Sequence, residues 1–410
     1  MGFLNFLSDP ITFLANWLQG LLLGFGIPAG IVQFILFVIG AGALATGAMM
    51  FVVFLIWLER KAIARLQDRL GPNRVGPWGI FQTIPDMIKI FTKEFITPVG
   101  ADIIPYNLAP ILAVAGVLMV WSVIPLAISV VGVNLNVGVL YVIAVGSLGE
   151  LGIIMAGFGS NNKFALLGGF RAVALLVSYE VPLVVSLLIP VMLAGSMGMA
   201  DIAQAQTVWY IWLAPGAAFI FLITSIAENG RAPFDLTEAD SEIVAGFNIE
   251  YSGLKFGMFY VADFLHSFTI ALVFSVLFLG GWRGPGAAQI PILGFVYIMI
   301  KAGVIELLII WIRGSLPRFR IDQMMNLNWK VLTPLSLSIV VVTAVLDKLI
   351  PLEQSAVRIG VLLAVNIVIL LLTGWLMEVF KTRRPRPVVQ KIPRPVARPE
   401  NVAANSNSGD

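Results

Sequence analysis

Glu150, Glu180, Asp263, Lys301 and Glu306 each stand inside a long apolar run of this sequence. An ionised side chain at the centre of a hydrocarbon layer costs about 2.5–3.5 kcal/mol on insertion scales. Leucine would cost nothing there, so these groups point to work that leucine cannot do. For carboxylates near neutral pH that work is proton exchange. The alternative is pairing that only fixes helix register. For Lys301 and Glu306 both readings stand, because five residues turn a helix by about 140° and would skew a direct pair. Glu150, Glu180 and Asp263 have no cation at matching depth in their own runs, which favours proton chemistry. His266 lies one turn beyond Asp263 and reads as a packed structural side chain, with proton relay as the alternative. Glu180 sits in LLVSYEVPLVV. There Pro182 removes a backbone donor and frees the Ser178 carbonyl, so water or hydroxyls are expected to solvate the helix beside the acid. A second acidic group, Glu228, Asp235, Glu238, Asp240, Glu242 and Glu250, crowds residues 228–250. Next to a membrane whose inner surface is usually negative, that is not how a solvated tether is built.

Other chemistries are excluded. The chain has no Cys, so it cannot supply a disulfide, an iron–sulfur cluster or Cys-ligated zinc. One His leaves no paired axial haem ligation, so any redox metal must sit in a partner. A net charge of +3 spread over loops gives nucleic-acid binding no support.

The elements that position these acids are membrane spans. Of the 410 residues, 59% are hydrophobic and 12% charged, against about 25% charge in a soluble domain. The pattern predicts an all-α, polytopic transmembrane helix bundle of about nine spans. They fall at 31–58, 105–130, 137–158, 170–196, 208–228, 256–281, 291–313, 331–350 and 357–379. Residues 1–30 form an N-terminal apolar segment, broken by Asp9-Pro10 and several glycines and read as interfacial. Residues 31–350 are the main membrane domain, 351–380 an additional span, and 381–410 a basic, Pro-rich tail expected to be disordered. MGFLNFLSDP lacks the positive n-region of a secretory signal, and no internal repeat of the kind found in many transporters is visible.

Basic residues set the orientation. Arg283, Lys301, Lys348 and Arg358 are the exceptions; the other Lys and Arg residues fall on one side if the loops at 59–104, 159–169, 229–255 and 314–330 and the tail share it. By the positive-inside rule that side is cytoplasmic. The first of these loops opens with Glu59-Arg60-Lys61 and continues into WGIFQTIPDMIKIFTKEF. In it Ile80, Ile84, Met87, Ile88, Phe91 and Phe95 recur at helical spacing beside Asp86, Lys89 and Lys93. This predicts an amphipathic helix lying in the headgroup plane.

Four long segments resemble the membrane subunit called 1 or H of proton-pumping NADH:quinone oxidoreductase, respiratory complex I. They are ERKAIARLQDRLGPNRVGPWGIFQTIPDMIKIFTKE (59–94), GSLGELGIIMAGFGSNNKFALLGGFRAVALLVSYEVP (146–182), AENGRAPFDLTEADSEIVAGFNIEYSG (227–253) and RGSLPRFRIDQMMNLNWKVLTPL (313–335). The resemblance spans about residues 30–350 and implies a subunit of the bacterial inner membrane. It would be wedged between soluble iron–sulfur and quinone-site subunits and membrane pump subunits, among membrane lipid. The substrate would be a quinone, ubiquinone or menaquinone. NADH, FMN and iron–sulfur clusters would belong to partner subunits. By this likeness Glu59, Arg60, Asp86 and Lys89 fall near a quinone chamber. Glu150, Glu180, Glu228, Glu238, Asp240, Glu242, Glu250 and Asp263 fall in a chain of acids that couples the chamber to proton translocation. Arg313, Arg318 and Arg320 form a basic strip that reads equally as a docking site for a soluble partner or as plain topology charge. Leu175 stands where the family often has Gln, Gly230 where Asn is common, and Asp240 and Asp263 where glutamate is usual. The alternatives are the equivalent subunit of a membrane-bound hydrogenase or of another-donor complex, and a secondary transporter. The GPNRVGP loop with its interfacial helix favours the quinone enzyme. The crowding of motifs on one face disfavours a transporter.

Overall fold

The structure is a computed structural model that describes residues 9–236, 240–350 and 355–382. Glu238 and the tail lie outside these residues, and Asp240 is described by its backbone alone. Every regular element among the described residues is a helix. Helix α1, Pro10–Gly24, begins at Asp9-Pro10 rather than being broken there. Proline fits the first helical position, and the Asp9 carboxylate accepts from the Thr12 N–H at 3.2 Å. At 15 residues, about 22 Å, α1 is too short to cross a layer of ~30 Å.

Helix α2, Ala29–Leu66, runs 38 residues and passes the predicted end of its span by about two turns. Glu59 and Arg60 therefore ride on a rigid helix rather than a loop. After a 3₁₀ turn at Pro77–Gln82 comes the short helix α3, Thr83–Thr92. Ile84, Ile88 and Phe91 on α3 are exposed, as expected of a helix lying in an interface. Next come α4, Ile103–Trp121, α5, Gly138–Gly159, and α6, Lys163–Ala194. The predicted span at 105–130 ends early: past Trp121 the chain turns back, with Val133 N–H on the Ser122 carbonyl at 2.8 Å. The predicted span at 208–228 is broken. Helices α7, Met199–Ala205, and α8, Tyr210–Leu213, precede α9, Pro215–Glu228. At 14 residues, about 21 Å, α9 alone is short of a crossing.

A turn of helix α10, Asp240–Ile243, leads to α11, Gly253–Phe278, and α12, Pro291–Ser315. Helix α13, Ile321–Leu327, passes through a π turn at Asn328–Leu332 into α14, Thr333–Leu349. Helix α15 is Ser355–Thr382. Eight of these runs are long and apolar enough to cross a membrane. Helix α11 is the centre, 83% buried along its most apolar stretch, whereas α2 and α15 are 11% buried along theirs and form the rim. Helix α11 packs on α2, α4 and α12, and α6 packs on α5, α9 and α14.

Candidate functional site

Helix α2 presents two adjacent residues to different neighbours, because successive positions on a helix lie about 100° apart. Arg60 turns to the interfacial helix, its Nη1 2.6 Å from Asp86, and Lys89 lies 3.6 Å from the same carboxylate. These three predicted residues are thus brought together. Glu59 turns inward. It is 6% exposed, accepts from Arg231 at 2.8 Å and pairs with Arg313.

Arg231 is the hub of this inner site. Its second Nη lies 3.0 Å from Asp263 on α11, and Nη1 lies 3.9 Å from Glu306 on α12. The Phe264 ring sits 4.8 Å from the guanidinium carbon. Glu306 also accepts from the Ser267 hydroxyl at 3.0 Å. Arg231 is 3% exposed and Glu306 2%, so this pairing is largely screened from bulk water. Burial alone would lower the guanidinium, but the carboxylates of Asp263, Glu59 and Glu306 outweigh it and raise it above its ordinary value. It stays charged. Gly230, at φ 62°, makes the left-handed turn that delivers Arg231, a conformation glycine and asparagine adopt readily.

The hub lines a cavity with about 170 Å³ open to water, room for several molecules. Glu150, Glu228, Asp235, Tyr260, Asp263, His266 and Arg313 share its walls. Glu180 is not in the lining, yet Glu150, Glu180 and Glu228 lie within Coulomb range of one another. The carbonyl of Ser178 is met by a side-chain amide. Asn328 of the π turn donates its amide to it at 2.5 Å, and the Tyr179 hydroxyl donates to the Met324 carbonyl at 3.0 Å. The extra residue of a π turn rotates Asn328 inward, which sequence periodicity did not reveal.

Other predicted acids lie elsewhere. Glu242 faces solvent and pairs with Arg171 at 2.5 Å; that hydrogen bond, and then the guanidinium charge, hold its carboxyl below the usual range. Glu250 accepts from the Asn162 amide at 2.7 Å, beside the stacked rings of Tyr106 and Tyr251. The basic strip is split: Arg313 turns to Glu59, whereas Arg318 and the exposed Arg320 both lie within Coulomb range of Glu242. Lys301 and Glu306 do not pair. The Lys301 ammonium donates to the carbonyls of Leu279, Gly281 and Arg283 at 2.8, 2.8 and 2.9 Å, capping the far end of α11. The residue that sequence reasoning left without a role is Arg231. Its signal was present: it is the one cation between Glu228 and Glu250.

A bundle of apolar helices with an acidic cavity in its interior and an amphipathic helix at one face defines a polytopic membrane protein with buried carboxylates. The family profile described as NADH dehydrogenase matches residues 39–344. The chain is 47% identical over 321 residues to the NADH-quinone oxidoreductase H subunit of Dehalococcoides mccartyi (strain CBDB1), covering 78% of this chain and 90% of that protein. It is 46% identical over 309 residues to the same subunit of Geobacillus kaustophilus (strain HTA426), 75% of this chain and 92% of the relative. To the NADH-quinone oxidoreductase H 2 subunit of Geobacter sulfurreducens it is 43% identical over 300 residues, 71% and 90% of the two chains. The chain belongs to the family of NADH-quinone oxidoreductase H subunits.

Proposed function

We propose that this chain helps enclose the quinone chamber of a proton-translocating NADH:quinone oxidoreductase and passes the consequence of quinone reduction to its buried acids. The motif face is cytoplasmic, where soluble iron–sulfur subunits dock, and membrane pump subunits pack laterally. A quinone, ubiquinone or menaquinone, enters from the bilayer beside α3. Arg60, Asp86 and Lys89 sit at headgroup depth, where a polar quinone ring on an apolar tail would present itself. The ring takes two electrons from the partner's iron–sulfur chain and two protons to become quinol.

The observation that carries this reading is the adjacency of Glu59 and Arg60. One helical turn of α2 serves both the interfacial Asp86 and the interior Arg231 hub. A change of charge near Asp86 is therefore felt at Arg231, and from there at Asp263, Glu306 and the acids of the cavity, because charges a few ångströms apart are less screened inside a protein than in bulk water. Glu150, Glu180 and Glu228 lie within Coulomb range of one another, so a change in the proton occupancy of one biases the others. Glu250 belongs to a separate junction, so its part would be exerted through α5 and α6.

The test is Glu180→Gln, which keeps the shape and removes the ionisation, with Glu150→Gln in parallel. In assembled complex, normalised for subunit content, each should depress quinone-dependent turnover and proton translocation. Wild-type turnover and a wild-type proton-to-electron ratio in Glu180→Gln would sink the proposal.

A further inference from the structure

The family match ends at residue 344, and α15 lies beyond it with no task in the function proposed. Its neighbours include the helices on either side of a backbone break, that between α8 and α9. Ala214 leaves helical geometry at φ −136° and ψ 63°, and Pro215 supplies no N–H to the turn before it. Irregular backbone at membrane depth persists only where protein buries it or water fills it. Here a polar side chain from α15 reaches across. Asn366, 2% exposed within an apolar helix, donates its amide to the Leu362 carbonyl at 2.9 Å and, in a long hydrogen bond of 3.5 Å, to the Leu213 carbonyl at the break. Its Oδ1 is buried without a partner and faces Gly216, where an added Cβ would lie 3.0 Å from it and 2.7 Å from Ile339 Cδ1. Gly216 is in the first turn of α9, where N–H groups have no helical acceptor. One asparagine thus spans the break, its donor on the last turn of α8 and its acceptor toward the open start of α9. A second tether closes the same end: Arg358 of α15 pairs with Asp347 of α14, beside Tyr210.

We propose that α15 is an in-chain clamp on the α8–α9 break, with Asn366 as the positioning residue, and that it holds α9 so that Glu228 and Arg231 keep their places in the cavity. The last step rests on the function proposed above. Helix α9 runs unbroken from the break at Pro215 to Glu228 at its other end. The chain has no cysteine, so Ile211→Cys in the assembled complex gives a single reporter in this chain beside the break. Asn366→Leu should raise the N-ethylmaleimide labelling rate at position 211 about tenfold, the shift in local opening expected from losing one buried hydrogen bond. Asn366→Gln, which keeps an amide, should restore most of the protection. Asn366→Leu should also move the pH profile of quinone-dependent turnover, while Asn366→Gln should not. If Asn366→Leu fails to assemble, Gly216→Ala, which crowds Ile339 and Asn366, should raise labelling in its place. Unchanged labelling in assembled Asn366→Leu or Gly216→Ala complex overturns the clamp. Raised labelling with a wild-type pH profile overturns its link to Glu228. Failure of the proposed function itself is read separately, from Glu228→Gln with wild-type coupling and unaltered labelling.

Discussion

Replacing Arg231 by methionine removes the cation that faces Glu59, Asp263 and Glu306. Its two close contacts, 2.8 and 3.0 Å between nitrogen and oxygen, each correspond to about 6 kcal/mol of attraction at an effective dielectric near 20. Desolvation of the ions offsets much of that, several kcal/mol per ion, so the net worth of the hub is small. Its removal is not symmetric with its formation, because the carboxylates stay behind. Breaking a buried pair from one side costs about 3–5 kcal/mol, and among the described residues the guanidinium left beside these carboxylates is Arg313, paired with Glu59. The expected outcome is a complex that loses this subunit on detergent extraction and unfolds at lower temperature in a fluorescence thermal-shift assay. Adding Asp263→Asn to Arg231→Met should recover about half of the loss, since one stranded charge is removed with little change in volume. Two results would refute this reasoning: wild-type thermal stability in Arg231→Met, or a double variant less stable than the single one.

Asp86→Asn removes the shared partner of Arg60 and Lys89, and should change apparent quinone affinity or inhibitor sensitivity while electron transfer to a water-soluble acceptor survives; equal loss of both in assembled complex would point to a structural role. Lys301→Met leaves three carbonyls at the end of α11 without their donor, so stability should fall by about 1–3 kcal/mol in the thermal-shift assay with the proton-to-electron ratio unchanged. Arg171 holds the Glu242 carboxyl below its ordinary value, so this contact contributes fully above that value and is lost as pH falls through the depressed one. Hydrogen exchange at 240–243, corrected for intrinsic rates, should stay constant from neutral pH to about pH 5 and quicken below about pH 4. Arg171→Gln should remove that dependence, and a dependence that persisted would assign it to another group.

Much of this protein is determined by its sequence. Apolar runs of spanning length and a one-sided distribution of basic residues dictate a polytopic helical bundle, because hydrocarbon admits little else. The intramembrane positions of Glu150, Glu180, Asp263 and Glu306 were legible for the same reason: a charge in an apolar run announces itself. The amphipathic repeat around Asp86 likewise foretold a helix with one apolar face. Partnership was not legible. Glu59 and Arg60 are neighbours in sequence yet serve different sites, because the helix continues past the expected end of its span and turns one inward. Arg231 and Glu306 meet only when three helices converge. Lys301 answers carbonyls rather than the carboxylate five residues away, since the end of α11 lies nearer than the next turn but one of its own helix. Sequence reasoning finds where a charge is costly, which is a local property of composition. Which opposite charge, amide or carbonyl compensates it depends on the distances between helices, and tertiary packing alone fixes those.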